Sequence, residues 1–185
     1  LIQHHLGNTP QFSHSQRSWT QSRGEYFTAQ EIIRHWKRRV PQGAHVDEQL
    51  FLALLFMMLR TPDPVMDKHQ QDQRLRRAIV RMVARFRSQT GMNFSDEQGL
   101  TDQLYIHLAQ ALDRSLFEIG IDNSLPEEIH RLYPRLLRTT KEVLFELEAE
   151  FGLRFSDEEM ALVAVIFGAW LMQENDLHEK QVVLL

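Results

Sequence analysis

Apolar residues recur at helical spacing along most of this chain. The clearest stripe lies in residues 70–88, where Leu75, Ile79, Met82, Val83 and Phe86 share one face and predict an amphipathic helix. Ser95 with Gln98 reads as the cap of a second helix, running to about Ile119 and stopping at Gly120. Ser124 with Glu127, and Pro126 in the first turn, predicts a short helix ending near Tyr133 and Pro134. A longer helix follows to Phe151 and Gly152, where glycine suits a left-handed stop. Ser156 with Glu159 caps the last helix, to about Glu174, and no hairpin signal interrupts the series. The tail from Lys180 turns β-like through Val182, Val183, Leu184 and Leu185, and is expected to open a further domain.

The opening third follows the same rhythm. Leu1, Ile2 and Leu6 read as the end of an apolar helix that breaks at Gly7, Asn8, Thr9 and Pro10. Residues 13–24 are rich in Ser, Gln and Arg with little apolar pattern and are expected to be loop, with at most one helical turn. Thr28 with Glu31 forms a capping-box signature for a helix to about Arg39, before Pro41 and Gly43. Another helix is expected from Asp47 to Arg60, closed by Pro62 and Pro64.

Sliding the chain against itself by 111 residues brings these halves into register without a gap. Ile32, Ile33, Trp36 and Val40 then lie over Val143, Leu144, Leu147 and Phe151, and residues 48–56 over 159–167. Identities are sparse, so the case rests on matched periodicity, the property a repeated helical unit must keep. The offset puts Leu112 opposite Leu1, so the first copy is expected to lack its opening helices. The expected organisation is therefore all-α: residues 1–66 as the later part of a first five-helix unit, 67–176 as a complete second one, and 177–185 as a tail. Ile33, Trp36, Leu52 and Phe56 should be buried like their counterparts. A truncated first copy would leave apolar faces bare, so a homodimer is expected, with Leu50, Leu54 and Met57 as candidates to meet the partner.

Composition narrows the functional classes. The chain has 185 residues, a net charge of −4 and no cysteine. Near-neutral charge supplies no bulk attraction to nucleic acid or anionic lipid, and the missing thiols remove disulfides, thiolate catalysis and Cys-type zinc sites. Its longest apolar runs are too short to span a bilayer, which leads to a cytoplasmic expectation with no membrane contact. No pair of histidines stands at ligand spacing with an acidic third partner, so neither a metal nor a cofactor is expected. Glu127–Glu128 and Glu158–Glu159 are paired acids, but each pair opens a helix, where acids stabilise the positive end of the dipole. His130 is expected at the surface. Six arginines crowd residues 74–87 and are expected to form a solvated face or a docking surface for an acidic partner. His35, Lys37 and Arg39 fall opposite Glu146, Glu148 and Glu150, a charge inversion that would favour contact between unlike copies.

His107 shares a helix face with Leu100, Leu104 and Ala111, and on spacing alone reads as a partly buried histidine bonded to a neighbour. The surrounding stretch Leu104-Tyr105-Ile106-His107-Leu108-Ala109-Gln110-Ala111-Leu112-Asp113-Arg114 resembles the histidine motif of the PTS regulation domain, in which an arginine follows the histidine by seven residues. Leu132-Tyr133-Pro134, Phe151-Gly152 and Ser156-Asp157-Glu158-Glu159-Met160-Ala161-Leu162 resemble its remaining landmarks. That resemblance implies a non-catalytic, dimerising signal-input region of a bacterial transcription regulator. Nucleic acid would be bound only by a module outside this chain. It also implies His107 as a phosphoacceptor served by the histidine-containing phosphocarrier protein or a sugar permease component of the phosphotransferase system. Arg114 would help receive the phosphoryl charge. The sequence departs from the pattern at the second regulatory histidine, which is Ile166 here and Leu55 in the first copy. A structural dimerisation module without phosphoryl input is the alternative.

Overall fold

The computed structural model describes the backbone of residues 11–37 and 46–183 and the side chains of residues 11–36 and 47–174. Eight helices and no strand are found among the described residues. The chain divides into two compact units, residues 1–60 and 61–185. The expected helix over the opening residues, the break at residues 7–10 and the stop at Pro41 and Gly43 lie outside the described residues, as do Arg39 and Leu184–Leu185.

The first unit contains α1 (His14–Gln21), α2 (Gly24–Lys37) and α3 (Val46–Leu59). Where a loop was expected, α1 forms because a cap starts it rather than an apolar stripe. Ser13 Oγ accepts from Gln16 N at 3.2 Å while Ser13 N donates to Gln16 Oε1 at 2.9 Å. Similarly α2 begins at Gly24, one turn before the expected Thr28–Glu31 cap, and the Thr28 hydroxyl folds back toward Gly24 O. Arg17 pairs with Asp47 at 2.7 Å and Arg60 with Glu25 at 3.0 Å, tying the three helices at their ends.

Packing in this unit corrects several expectations. Ile33 is buried as expected, but Trp36 is 61% exposed although its counterpart Leu147 is buried. Leu50, Ala53 and Met57 take the core of α3 and leave Leu52 and Phe56 half-buried. The cause lies in the sequence VDEQLFLALLFMML, which is apolar on every side after its first turn and so does not specify which stripe faces inward. Leu50 and Met57 are accordingly covered within the chain and Leu54 half-covered, so these three do not form a bare face; Phe51, Leu55 and Leu59 are the exposed ones.

The second unit contains α4 (Gln70–Thr90), α5 (Glu97–Leu116), α6 (Leu125–Leu132), α7 (Pro134–Phe151) and α8 (Asp157–Val183). Contacts α4–α5, α5–α8, α8–α7 and α7–α4 close a ring of four helices, with α6 leaning on α7 and α8. Across the ring, Phe86 of α4 stacks on Phe167 of α8, centroids 3.9 Å apart, and Leu104, Leu108, Val83 and Leu144 are sealed alongside them. Gly91 and Gly152 stop α4 and α7 with φ of 70° and 67°, the conformation in which a Cβ would be strained.

Other helix ends differ from expectation. Asp96, not Ser95, caps α5, its Oδ1 accepting from Gly99 N at 2.8 Å, because both Ser95 N and Ser95 Oγ are taken by the buried Glu174 at 2.7 Å. Ser124 makes no side-chain cap for α6; the Asn123 side chain accepts from Leu125 N instead. α8 continues to Val183, so residues 180–183 are helical where a strand was expected. Leu177, Glu179, Lys180 and Gln181, all good helix formers, carry the register past the local β preference of the two valines.

α5 does not run on to a glycine stop at Gly120. It ends at Leu116, and exposed Glu118 takes the left-handed turn with φ 55°, letting Ile119 N donate to Arg114 O at 2.9 Å. Glu118→Gly should therefore stabilise the protein by about 0.5–1 kcal/mol, the relief of a left-handed side chain outweighing the added freedom of the unfolded chain. Urea midpoints of the two proteins measure it, and a lower midpoint for the glycine variant would show that Glu118 carries no strain.

Candidate functional site

α5 and α8 run antiparallel. Gln103 near the start of α5 accepts from Trp170 Nε1 at 2.7 Å, while Arg114 near its end reaches Glu159 at the start of α8. This register brings His107 and Arg114 of α5 onto one carboxylate. Arg114 Nε donates to Glu159 Oε1 at 2.6 Å and Nη2 to Oε2 at 3.1 Å, a two-pronged pairing. His107 Nε2 stands 3.2 Å from the same Oε2. The histidine's approach is oblique, so Nε2, which is sealed from solvent, lacks a well-directed hydrogen bond. Exposure falls from 18% for the Arg114 side chain through 15% for His107 to 4% for Glu159, placing the carboxylate at the dry end of the cluster.

The electrostatics follow from that placement. Burial by itself would raise the Glu159 pKa; the contacts from His107 and Arg114, with the charge of the guanidinium, outweigh it and hold the carboxyl below its usual range. Local capping fixes where this side chain can go. Ser156 Oγ accepts from Glu159 N at 3.3 Å, anchoring the backbone of the first turn, while the carboxylate reaches across to α5. The two residues read from sequence, His107 and Arg114, thus come together, but Arg114 holds Glu159 rather than open space. Glu159 is the member that sequence reasoning missed by treating it as a helix-opening acid. Its only local signal, the spacing Ser156–Glu159, is that of an ordinary cap.

The remaining candidates fall away from this cluster. Ile166, in the position of a second histidine, is 9% exposed, and Leu55 is 42% exposed. His130 lies exposed on α6, and His35 is exposed on α2. His4, His5 and His45 lie outside the described residues. No group of three or more His, Cys, Asp or Glu side chains that could hold a metal occurs among the described residues. Among those residues no helix is long and apolar enough to cross a membrane.

On the α4–α7 side of the ring, the arginines expected to face solvent or an acidic partner are mostly engaged within the unit. Arg74 and Arg81 pair with Glu150 at 3.3 and 2.5 Å, Arg85 pairs with Glu146, and Arg87 pairs with Glu97 at 2.8 Å. Arg76 lies over the Tyr105 ring, 4.2 Å from its centroid. Glu148, sealed at 3%, accepts from Phe155 N at 2.8 Å and pairs with Arg154. Glu146, Glu148 and Glu150, the acids expected to attract the unlike copy, thus each pair with a cation of their own unit. A groove of about 720 Å³ on this side, lined by Arg85, His130, Arg138, Lys141 and Phe145 among others, includes none of the His107 cluster.

Residues 80–170 match the PRD domain, and the chain carries that domain across the helices that hold His107, Arg114 and Glu159. Among known proteins it is similar to the stationary phase-inducible protein CsiE of Escherichia coli (strain K12), 63% identical over 185 residues, which is 100% of this chain and 43% of that protein. It is also similar to the transcriptional regulator ManR of Bacillus subtilis (strain 168), 25% identical over 142 residues, 75% of this chain and 22% of that protein. The chain spans less than half the length of either relative. No solved structure matches it significantly.

Proposed function

We propose that this chain is the non-catalytic signal-input and dimerisation region of a bacterial transcription regulator. Its second unit is a five-helix PRD bundle, and its first unit is the later part of a preceding domain of the same kind. His107 accepts a phosphoryl group from the phosphocarrier protein or a sugar permease component of the phosphotransferase system, and nucleic acid is handled by a module outside this chain. The observation that carries this reading is the convergence of His107 and Arg114 on the Glu159 carboxylate at the α5–α8 seam, the imidazole partly exposed and a cation on the same carboxylate. The likeness to a protein named as a transcriptional regulator supports the output.

A homodimer fits the surface of that seam. Val165, Ala169 and Met172 form an exposed stripe at helical spacing on α8, and Ile106 beside His107 is 36% exposed. A second copy would cover them, and charge arriving at His107 would alter that packing.

Incubation with phosphoenolpyruvate and the general phosphotransferase proteins should label the chain with an acid-labile phosphate, and His107→Ala should abolish the label. Sedimentation at micromolar concentration should show a dimer whose equilibrium shifts on labelling. The absence of any label would favour a structural dimerisation module, a reading to which Ile166 in place of a second histidine already lends support.

A further inference from the structure

Glu159 is the feature that a simple phosphoacceptor does not need. Its Oε2 is shared, receiving Arg114 Nη2 at 3.1 Å and standing 3.2 Å from His107 Nε2, while Oε1 takes Arg114 Nε at 2.6 Å. One guanidinium therefore neutralises one nearly sealed carboxylate, and a phosphoryl group on the neighbouring imidazole would arrive as a competitor for the same cation. Such a group brings close to two negative charges and three acceptor oxygens, and the planar fork of arginine suits it as well as it suits a carboxylate. Two anions cannot both keep the two-pronged hold of one guanidinium beside a carboxylate only 4% exposed.

We infer that phosphorylation of His107 works by exchange at Arg114: the phosphoryl group takes the guanidinium, Glu159 is displaced, and the first turns of α8 lose their tie to α5. The inference rests on His107 being the phosphoacceptor. In the transfer, one P–N bond forms on a ring nitrogen of His107 and the P–N bond of the donor's phosphohistidine breaks. The ring proton of His107 passes to the donor imidazole, so the only net charge delivered to the seam is that of the phosphoryl group. Glu159 acts as a positioning residue before transfer, holding the Arg114 fork beside the imidazole, and as the moving part after it. Displacement loosens a defined place, because the Glu159 backbone belongs to the Ser156-capped first turn. A further polar contact there, Lys141 to Asp157 at 2.6 Å, is a surface pair of little strength.

The test compares the wild-type full chain with Glu159→Gln. Each is labelled once with potassium phosphoramidate, which phosphorylates histidine and releases ammonia, and once with phosphoenolpyruvate and the general phosphotransferase proteins. Amide hydrogen exchange is then followed over residues 157–163. Labelled wild type should exchange there on the order of tenfold faster than unlabelled. Glu159→Gln, whose neutral amide is not repelled, should show no such step. In wild type the 31P titration of the phosphoryl group should lie below that of the same phosphohistidine in the urea-unfolded chain, because Arg114 holds its dianion.

Unchanged exchange in labelled wild type overturns the exchange mechanism, as does an equal acceleration in Glu159→Gln or an unshifted 31P titration. Should the glutamine variant fail to fold, the two wild-type measurements still decide. Label from phosphoramidate alone, with the exchange step intact, would uphold the mechanism and remove the phosphotransferase input. Label from both reagents without the step would do the reverse, and label from neither would overturn both.

Discussion

Arg114→Ala should lower the stability of the protein by roughly 3–5 kcal/mol near neutral pH, the cost of leaving a sealed carboxylate without its counter-charge. Glu159 is only 4% exposed, so water cannot replace the lost guanidinium. The pH dependence identifies the cause. In the wild type the Glu159 pKa is lowered on folding, so the folded state binds fewer protons than the unfolded one. That pairing contributes stability present above the unfolded carboxyl value of about 4.3, and lost as pH falls through the lower folded value. In Arg114→Ala the hydrogen bond and the charge of the guanidinium are gone, and burial, which raises the pKa, is opposed by His107 alone. The folded value then lies higher than in wild type, so the variant loses less stability than wild type as pH falls. The two stability curves must therefore converge on acidification. Urea unfolding of both proteins between about pH 7 and about pH 4 measures this. A difference that stays constant across the window would mean that the arginine contributes packing rather than charge.

The same cluster shows what sequence reading reaches. His107 and Arg114 lie on one helix, seven residues apart, so helical periodicity alone puts them on related faces. Glu159 lies 45 residues beyond Arg114 on another helix. Its spacing from Ser156 matches a common cap, and no local pattern distinguishes a glutamate that turns back to cap from one that crosses to a neighbour. The arginines of α4 pose the same problem. Their acids, Glu146 and Glu150, are supplied by α7, and only the antiparallel packing of the two helices reveals the match. A helix end was legible where backbone geometry admits few residues, as at Gly152. Others were misread where a side chain had a stronger claim elsewhere, as with Ser95 on Glu174. The inward face of α3 was illegible for a different reason: a helix apolar all round has no preferred stripe until its neighbours are known.

Phe167→Ala should destabilise the protein by about 3–5 kcal/mol, through lost transfer energy and the cavity left by a ring at the centre of the four-helix ring. Phe167 and Phe86 are both fully buried and stack in parallel across the diagonal between α8 and α4, with Phe94 6.3 Å from Phe86 on the far side. Helices on a diagonal share few other contacts, so this stack fixes their separation. Phe86→Ala should cost a similar amount. The double variant should cost about 0.5–1.5 kcal/mol less than the separate losses added together, because either single truncation already abolishes the ring–ring term. Unfolding midpoints of the four proteins complete that cycle, and strict additivity would show that the rings contribute only as separate apolar volumes. A functional consequence follows from the chain itself. Phe167 is on the helix that begins with Glu159, and α8 reaches α5 at both Glu159 and Trp170. A cavity beneath that span lets α8 shift, and interfaces of this kind settle into discrete arrangements rather than bending smoothly. The variant, compared with wild type where both remain folded, should therefore show faster amide exchange over residues 157–163 before any phosphoryl group arrives. Protection equal to wild type in that stretch would mean that the seam is held by its own polar contacts, independently of the stack behind it.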